Sequence, residues 1–267
     1  MDVVVNGIKD ELPSDSKPLA GLGDYYQNIL LCFSYEPESL PLADLLKHYH
    51  QLSGKWLVAS PVHWEATHND AMLVAAGTEL ELSEDESRLW FTQVADFLKA
   101  DGFNPVFHDT QTWLFNIDDK PEIKSQSAQS LMHKSLMPAL SGLDKSLYWQ
   151  RLITELQMYL GAHPLSSLRE GLAINGLWFW GEGELQIKTK RVVTTDDEVL
   201  IDSLGQSLSA LSPTTAFAKD DLLIISDPKQ LVANQLEERI NKHKVNWYWN
   251  NCSYSRKATH WWSRLWR

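Results

Sequence analysis

Short β-rich runs and stretches of helical periodicity take turns along this chain, and that alternation limits the fold more than any other feature. Residues 55–61 and 71–76 are compact apolar runs that predict strands. Between them lies the polar loop from His63 to Asp70. Ser83 followed by Glu86 forms a capping box, and the helix it opens carries Leu89, Trp90, Val94, Phe97 and Leu98 before Asp101-Gly102 stops it. Residues 104–107 and 112–117 again predict strands. A helix over 41–51 places Leu42, Leu45, Leu46 and Tyr49 on one face. A second over 146–160 repeats the pattern with Leu152, Ile153, Leu156, Tyr159 and Leu160, and Pro164 ends it. Ser166 or Ser167 is placed to cap a short helix after it. Residues 174–183, 221–226 and 245–249 predict further strands, and 228–242 a helix. Strands and amphipathic helices in alternation imply an α/β fold, a mixed sheet with helices packed on it.

The chain length of 267 residues allows one large domain. The Pro-, Gly- and Ser-containing residues 1–23 predict a flexible leader with a Val-rich strand or arm at its start. Residues 24–250 are expected to form a single α/β domain with an internal linker at 118–130, and 251–267 a basic, tryptophan-rich C-terminal segment.

Charge is divided unevenly. From Arg239 onward the sequence holds Arg239, Lys242, Lys244, Arg256, Lys257, Arg264 and Arg267 and no acidic residue. Removing those seven positive charges from the net charge of −11 leaves −18 over the rest. So acidic a body makes nucleic acid an unlikely partner, whereas residues 256–267 suit a protein partner or another acidic surface. No apolar run reaches the roughly 18 residues of a membrane span, and the first residues lack the pattern of a signal peptide. The two cysteines, Cys32 and Cys252, make no disulfide framework, and a cytoplasmic location is the expectation. Walker, GxGxxG, GxSxG and CxxC motifs are all absent, so no cofactor is expected.

Two constellations could carry chemistry. His163, Ser166 and Arg169 cluster near a predicted helix start, before Asn175 and the Gly181–Gly183 turn. A helix N-terminus, an arginine fork and the N–H groups of a glycine turn all suit a phosphate or carboxylate. The structural alternative is that these residues brace helix ends while the tryptophans fill core. The second constellation is His63, Glu65, His68 and Asp70, which hold a metal only if their loop folds inward.

The motif His163-Pro164-Leu165-Ser166-x-x-Arg169, with Gly171, Asn175 and Trp178-x-Trp180-Gly181-x-Gly183, resembles a stretch of the archaeal-type cofactor-independent phosphoglycerate mutases. The chain looks closer still to bacterial RpfE-type regulatory proteins, described as phosphoglycerate-mutase-like. That second resemblance adds Pro61-Val62-His63, the helix from Ser83, Trp113-Leu114, residues 155–158 and the Trp/Arg-rich end. It implies a reduced alkaline-phosphatase-like architecture and a small phosphorylated ligand, with His163, Ser166, Arg169, Asn175, Gly181 and Gly183 as its binding residues. The mutases use two metals and a Ser or Thr nucleophile. This chain has Asn6-Gly7 where they have Asp-Gly, lacks a His four residues after Asp227, and has Ser166 where Asn is expected. The expectation is therefore a non-catalytic or regulatory binding protein without a metal centre. An active mutase or phosphohydrolase, and a partner- or membrane-docking protein, are the alternatives.

Overall fold

The computed structural model describes residues 1–18, 25–187, 189–233 and 235–258. In chain order the strands are β1 Asp2–Val5, β2 Lys17–Pro18, β3 Trp56–Ala66, β4 Ala71–Ala76, β5 Val106–Phe107, β6 Trp113–Asn116, β7 Gly176–Trp180, β8 Val193–Thr195, β9 Ser209–Ala210, β10 Leu222–Ile225, β11 Val245–Tyr248 and β12 Cys252–Arg256. The helices are α1 Tyr25–Cys32, α2 Leu42–Tyr49, α3 Glu84–Leu98, α4 Ala128–Leu131, α5 Met137–Gly142, α6 Tyr148–Ala162, α7 Glu198–Leu204, α8 Gln230–Ala233 and α9 Leu236–Ile240. The fold is α/β with mixed strand directions. The chain divides into two compact units, residues 1–35 with 186–267, and residues 36–185.

In the first unit the sheet runs β2-β12-β11-β1-β10-β8-β9. The stretch β11-β1-β10-β8-β9 is parallel, and β12 and β2 add antiparallel edges. Strands of a parallel sheet are covered on both faces and read as continuous apolar runs. Val3, Val4 and Val5 of β1 and all of β10 are fully buried, as that rule requires. Residues 2–5 are thus the middle of a sheet and not part of a leader: three consecutive valines need strand neighbours on both sides. β2 pairs with β12, and residues 19–24 lie outside the described residues. Trp247, Trp249 and Tyr254 pack into this unit's core with Leu223, Ile225 and Ile240. The basic segment therefore begins as β12, and Arg256 pairs with Glu237 at 2.8 Å. The expected helix over 228–242 is instead two short ones, α8 and α9.

In the second unit β3 is the long central strand. It pairs antiparallel with β4, β6 and β7 at different points along its length, and β5 joins β6. Its irregular register at His63/Trp64 marks a bulge. The strand runs on through the loop expected at 63–66, because Trp64 and Val62 find buried places on the sheet. Helix α3 begins as predicted, with the Ser83 hydroxyl accepting the Glu86 N–H at 3.2 Å. Trp90, Trp113, Trp149 and Trp178 are almost wholly buried and fill this unit's core. The expected linker at 118–130 is packed: Ile123, Ser125 and Ala128 are buried, and the Trp149 indole donates to the Pro121 carbonyl. The unit boundaries fall at 35/36 and 185/186 instead of at 23/24, 118–130 and 250/251. Among the described residues no helix is long and apolar enough to cross a membrane.

Candidate functional site

The segment 163–175 lies in the second unit, and its polar groups are turned onto the backbone. A 3-10 turn over Pro164–Ser167 takes the place of the short helix expected there. His163 Nδ1 accepts the Leu165 N–H at 3.3 Å, while its ring packs against Trp90 and Tyr159. The Ser166 hydroxyl donates to the Leu160 carbonyl at 2.8 Å. Arg169 donates from Nε to Glu86 at 2.6 Å, and its two terminal nitrogens donate to the carbonyls of Leu172 and Leu80. Its side chain is only 10% exposed. All three arms of the fork are thus taken. Asn175 bonds both the N–H and the C=O of Trp64, each at 2.8 Å. Its amide stands in for a strand neighbour beside the bulge in β3. Of the expected binding residues, these four brace the unit.

The glycine turn behaves differently. Strand β7 ends at Trp180, and Gly181 (φ +88) and Gly183 (φ +114) both adopt left-handed backbone. Gly181 accepts the Ala43 N–H of α2 at 3.1 Å, and a Cβ there would approach that nitrogen to 3.2 Å. The Leu185 N–H donates to Asp44. The turn is therefore seated on the start of α2, and the residue between the glycines, Glu182, points inward. Its Oε1 accepts the Ser125 N–H at 2.8 Å, while Oε2 is shut from solvent and has no hydrogen-bond partner. Burial pushes its carboxyl pKa up, against the pull of the Ser125 N–H and of its own N–H.

Glu182 lies in the wall of a cleft of about 610 Å³, with Glu38, Lys124, Gln126, Leu143 and Trp178. The Trp178 indole is held by the Gln126 carbonyl at 2.8 Å. Lys124 forms no ion pair among the described residues. A second cavity of about 380 Å³, with Lys55, Asp44 and Glu122 in its wall, shares Ile123 and Glu182 with the first. The sequence singled out the flanking glycines and passed over Glu182. The available signal was an acidic residue between two glycines directly after an all-buried strand, where a turn must send its side chain either out to water or into the core.

The other candidates do not assemble. His63 donates to the Ala173 carbonyl at 2.7 Å, and Asp70 accepts from the Ala71 N–H and the Ser135 hydroxyl, both at 2.8 Å. Glu65 and His68 are exposed on the far stretch of the β3–β4 hairpin. Among the described residues no three His, Cys, Asp or Glu side chains stand together as a metal site. In the first unit, Asn6, Asp196, Asp197 and Asp227 follow the parallel strands at their carboxyl ends, where open α/β sheets commonly bind ligands. Asp196 accepts the N–H groups of Ser226 (2.6 Å) and Asp227 (3.4 Å). Asp197 is buried and caps α7 through the Leu200 N–H at 2.9 Å, and burial pushes its pKa up. Asp227 accepts the Lys229 N–H, and Asn6 accepts from Asn250. These oxygens organise the strand-end loops.

No family model matches the chain, and no curated protein matches it. A solved structure, the cofactor-independent phosphoglycerate mutase from Thermoplasma acidophilum DSM 1728, is similar to it over 96% of this chain and 89% of that one, at 11% identity and a TM-score of 0.35. A likeness of that strength says nothing of activity.

Proposed function

We propose that this chain is a non-catalytic, regulatory binding protein of the phosphoglycerate-mutase-like, RpfE-type group, and that its ligand seats in the Glu182 cleft. The ligand in this reading is a small molecule bearing a carboxylate or phosphate. Lys124 takes the anion at the mouth, and a turn of the Glu182 side chain that uncovers Oε2 lets its protonated form donate to a ligand oxygen. The observation that carries the reading is the shut-in, unpartnered Oε2 of Glu182 in a cleft that also offers the unpaired Lys124 ammonium. A buried polar atom without a partner costs roughly 1–3 kcal/mol, and among the buried atoms of this kind in the described residues Oε2 is the carboxylate oxygen.

The test is calorimetric titration with 3-phosphoglycerate, paired with a mutase assay in the presence of Mn²⁺. Binding without turnover is expected. Affinity should rise as pH falls toward the raised Glu182 pKa, Lys124→Ala should weaken binding at least tenfold, and Glu182→Gln, which keeps a donor, should weaken it less than Glu182→Ala. Metal-dependent turnover, or unchanged affinity in Lys124→Ala, would overturn the proposal.

A further inference from the structure

A pair of imidazoles in the second unit, apart from the Glu182 cleft, has the geometry of a chelate. His50 follows the last residue of α2, its N–H donating to the Leu46 carbonyl at 2.9 Å. His108 opens the tight turn after β5, where the N–H groups of His108 and Asp109 both donate to the Thr112 carbonyl. The two ring nitrogens that face each other, Nε2 of His50 and Nδ1 of His108, are 3.0 Å apart. The rings are nearly perpendicular at 86°, and Tyr49 packs edge-on against both. The second nitrogen of His108 faces the Asp109 carboxylate at 3.8 Å.

Two nitrogens bound cis to one ion at about 2.0–2.1 Å lie about 2.8–3.0 Å apart at a square-planar angle and about 3.3–3.4 Å apart at a tetrahedral one. The observed separation is that of the N–H···N hydrogen bond between the rings, and it also falls in the square-planar interval, so the pair need not spread to hold such an ion. The Asp109 carboxylate at 3.8 Å is too far to hydrogen-bond the second nitrogen of His108 and adds only a favourable negative charge beside the pair. Both histidines sit on ordered backbone, so the pair is set before an ion arrives. His50 is partly exposed and gives access.

The geometry points to a bis-imidazole site on His50 Nε2 and His108 Nδ1 for a divalent cation of the copper(II)–zinc class, with water completing the shell. No third protein ligand stands near among the described residues, so the site is open and exchangeable. Without an ion, one facing nitrogen carries a hydrogen and donates it to the other. On binding, that hydrogen moves to the far nitrogen of the same ring through solvent. Both rings stay neutral, and both facing lone pairs go to the metal. Protonation of either facing nitrogen at low pH competes with the ion. The charged group in contact with the pair among the described residues is Asp109 on the turn. Copper(II) should bind more tightly than zinc, in keeping with the general order for nitrogen ligands.

Calorimetric titration of the full chain with CuCl2 and ZnCl2 at pH 7.5, with nitrogen hyperfine splitting read by electron paramagnetic resonance, tests the site. One copper per chain with two-nitrogen splitting is expected. Either His50→Gln or His108→Gln should weaken that event at least tenfold. If His108→Gln fails to fold in a thermal melt, the partly exposed His50→Gln decides alone. Wild-type protein that does not saturate below 1 mM copper, or a folded variant that binds within twofold of wild type, would show a hydrogen-bonded pair only and end the proposal.

Discussion

Arg169 and Glu182 are both partly buried charged residues of the second unit, and their surroundings are opposite. Arg169 has a carboxylate and two carbonyls for the three arms of its fork. Glu182 has one N–H for one oxygen and nothing for the other. The difference teaches how to separate a brace from a site. An arginine whose donors are all satisfied holds the loop of residues 164–172 onto Leu80 and the first turn of α3. A carboxyl left half satisfied in a cleft wall stores a destabilisation that a ligand can relieve.

The largest test of this contrast is Arg169→Ala. Removing the guanidinium leaves the partly exposed Glu86 carboxylate and the Leu80 and Leu172 carbonyls without their donor, at a cost of about 2–4 kcal/mol. Urea unfolding at pH 7 should show a loss of that size, and Arg169→Lys should recover little because an ammonium cannot reproduce the fork. A loss below ~1 kcal/mol would make Arg169 a surface pair and return the 163–183 segment to the list of anion sites. Gly181→Ala comes next, at about 1–3 kcal/mol. The left-handed φ of +88 and the Ala43 nitrogen at 3.2 Å both oppose a Cβ. A melting temperature within a degree of wild type would show that the turn is not pinned to α2. In the first unit, Asp197→Ala should cost about 1–2 kcal/mol by freeing the first turn of α7. Helicity that survives alongside unchanged stability would remove Asp197 from the class of satisfied braces.

The element pattern of the second unit was legible because each of its signals is local. Strand, strand, helix, strand, strand over 55–117 follows from periodicity and from the Ser83 cap. What the sequence hid depends on distant partners. The valines of β1 look like a stray arm until β10 and β11, more than two hundred residues later in the chain, close over them. The partner of Arg169 is Glu86 on α3 and not the nearby Glu155 or Glu170. An arginine fork also has the same composition whether it awaits a phosphate or grips two carbonyls. Asn175 was legible as special but not as what it is, since the bulge it fills arises only when β3 and β4 pair. Residues 259–267, with Trp261, Trp262 and Trp266, lie outside the described residues. The proposed docking of 256–267 on an acidic partner therefore rests on charge alone, and Arg256, the first of its basic residues, is paired with Glu237.

The smallest expected effect bears most directly on the contrast. Burial raises the pKa of Glu182, so the folded state holds its proton more firmly than the unfolded chain, where a glutamate titrates near ~4.3. Whatever stability that proton gives is fully present below the unfolded value and is lost as pH rises through the higher folded value. Glu182→Gln removes the titration and replaces a poorly solvated charge with a neutral amide that still accepts from Ser125. Below about pH 4 the variant and wild type should unfold at similar urea concentrations. Toward pH 7 the variant should become the more stable by about 1 kcal/mol, because only wild type then carries the half-satisfied carboxylate. Urea midpoints at four or five pH values suffice to see the two curves separate. The opposite divergence, with wild type gaining on the variant as pH rises, would mean that the carboxylate has found a positive partner in solution. Lys124, on the same cleft wall, is a candidate for that partner, and an anion could then no longer rely on either group.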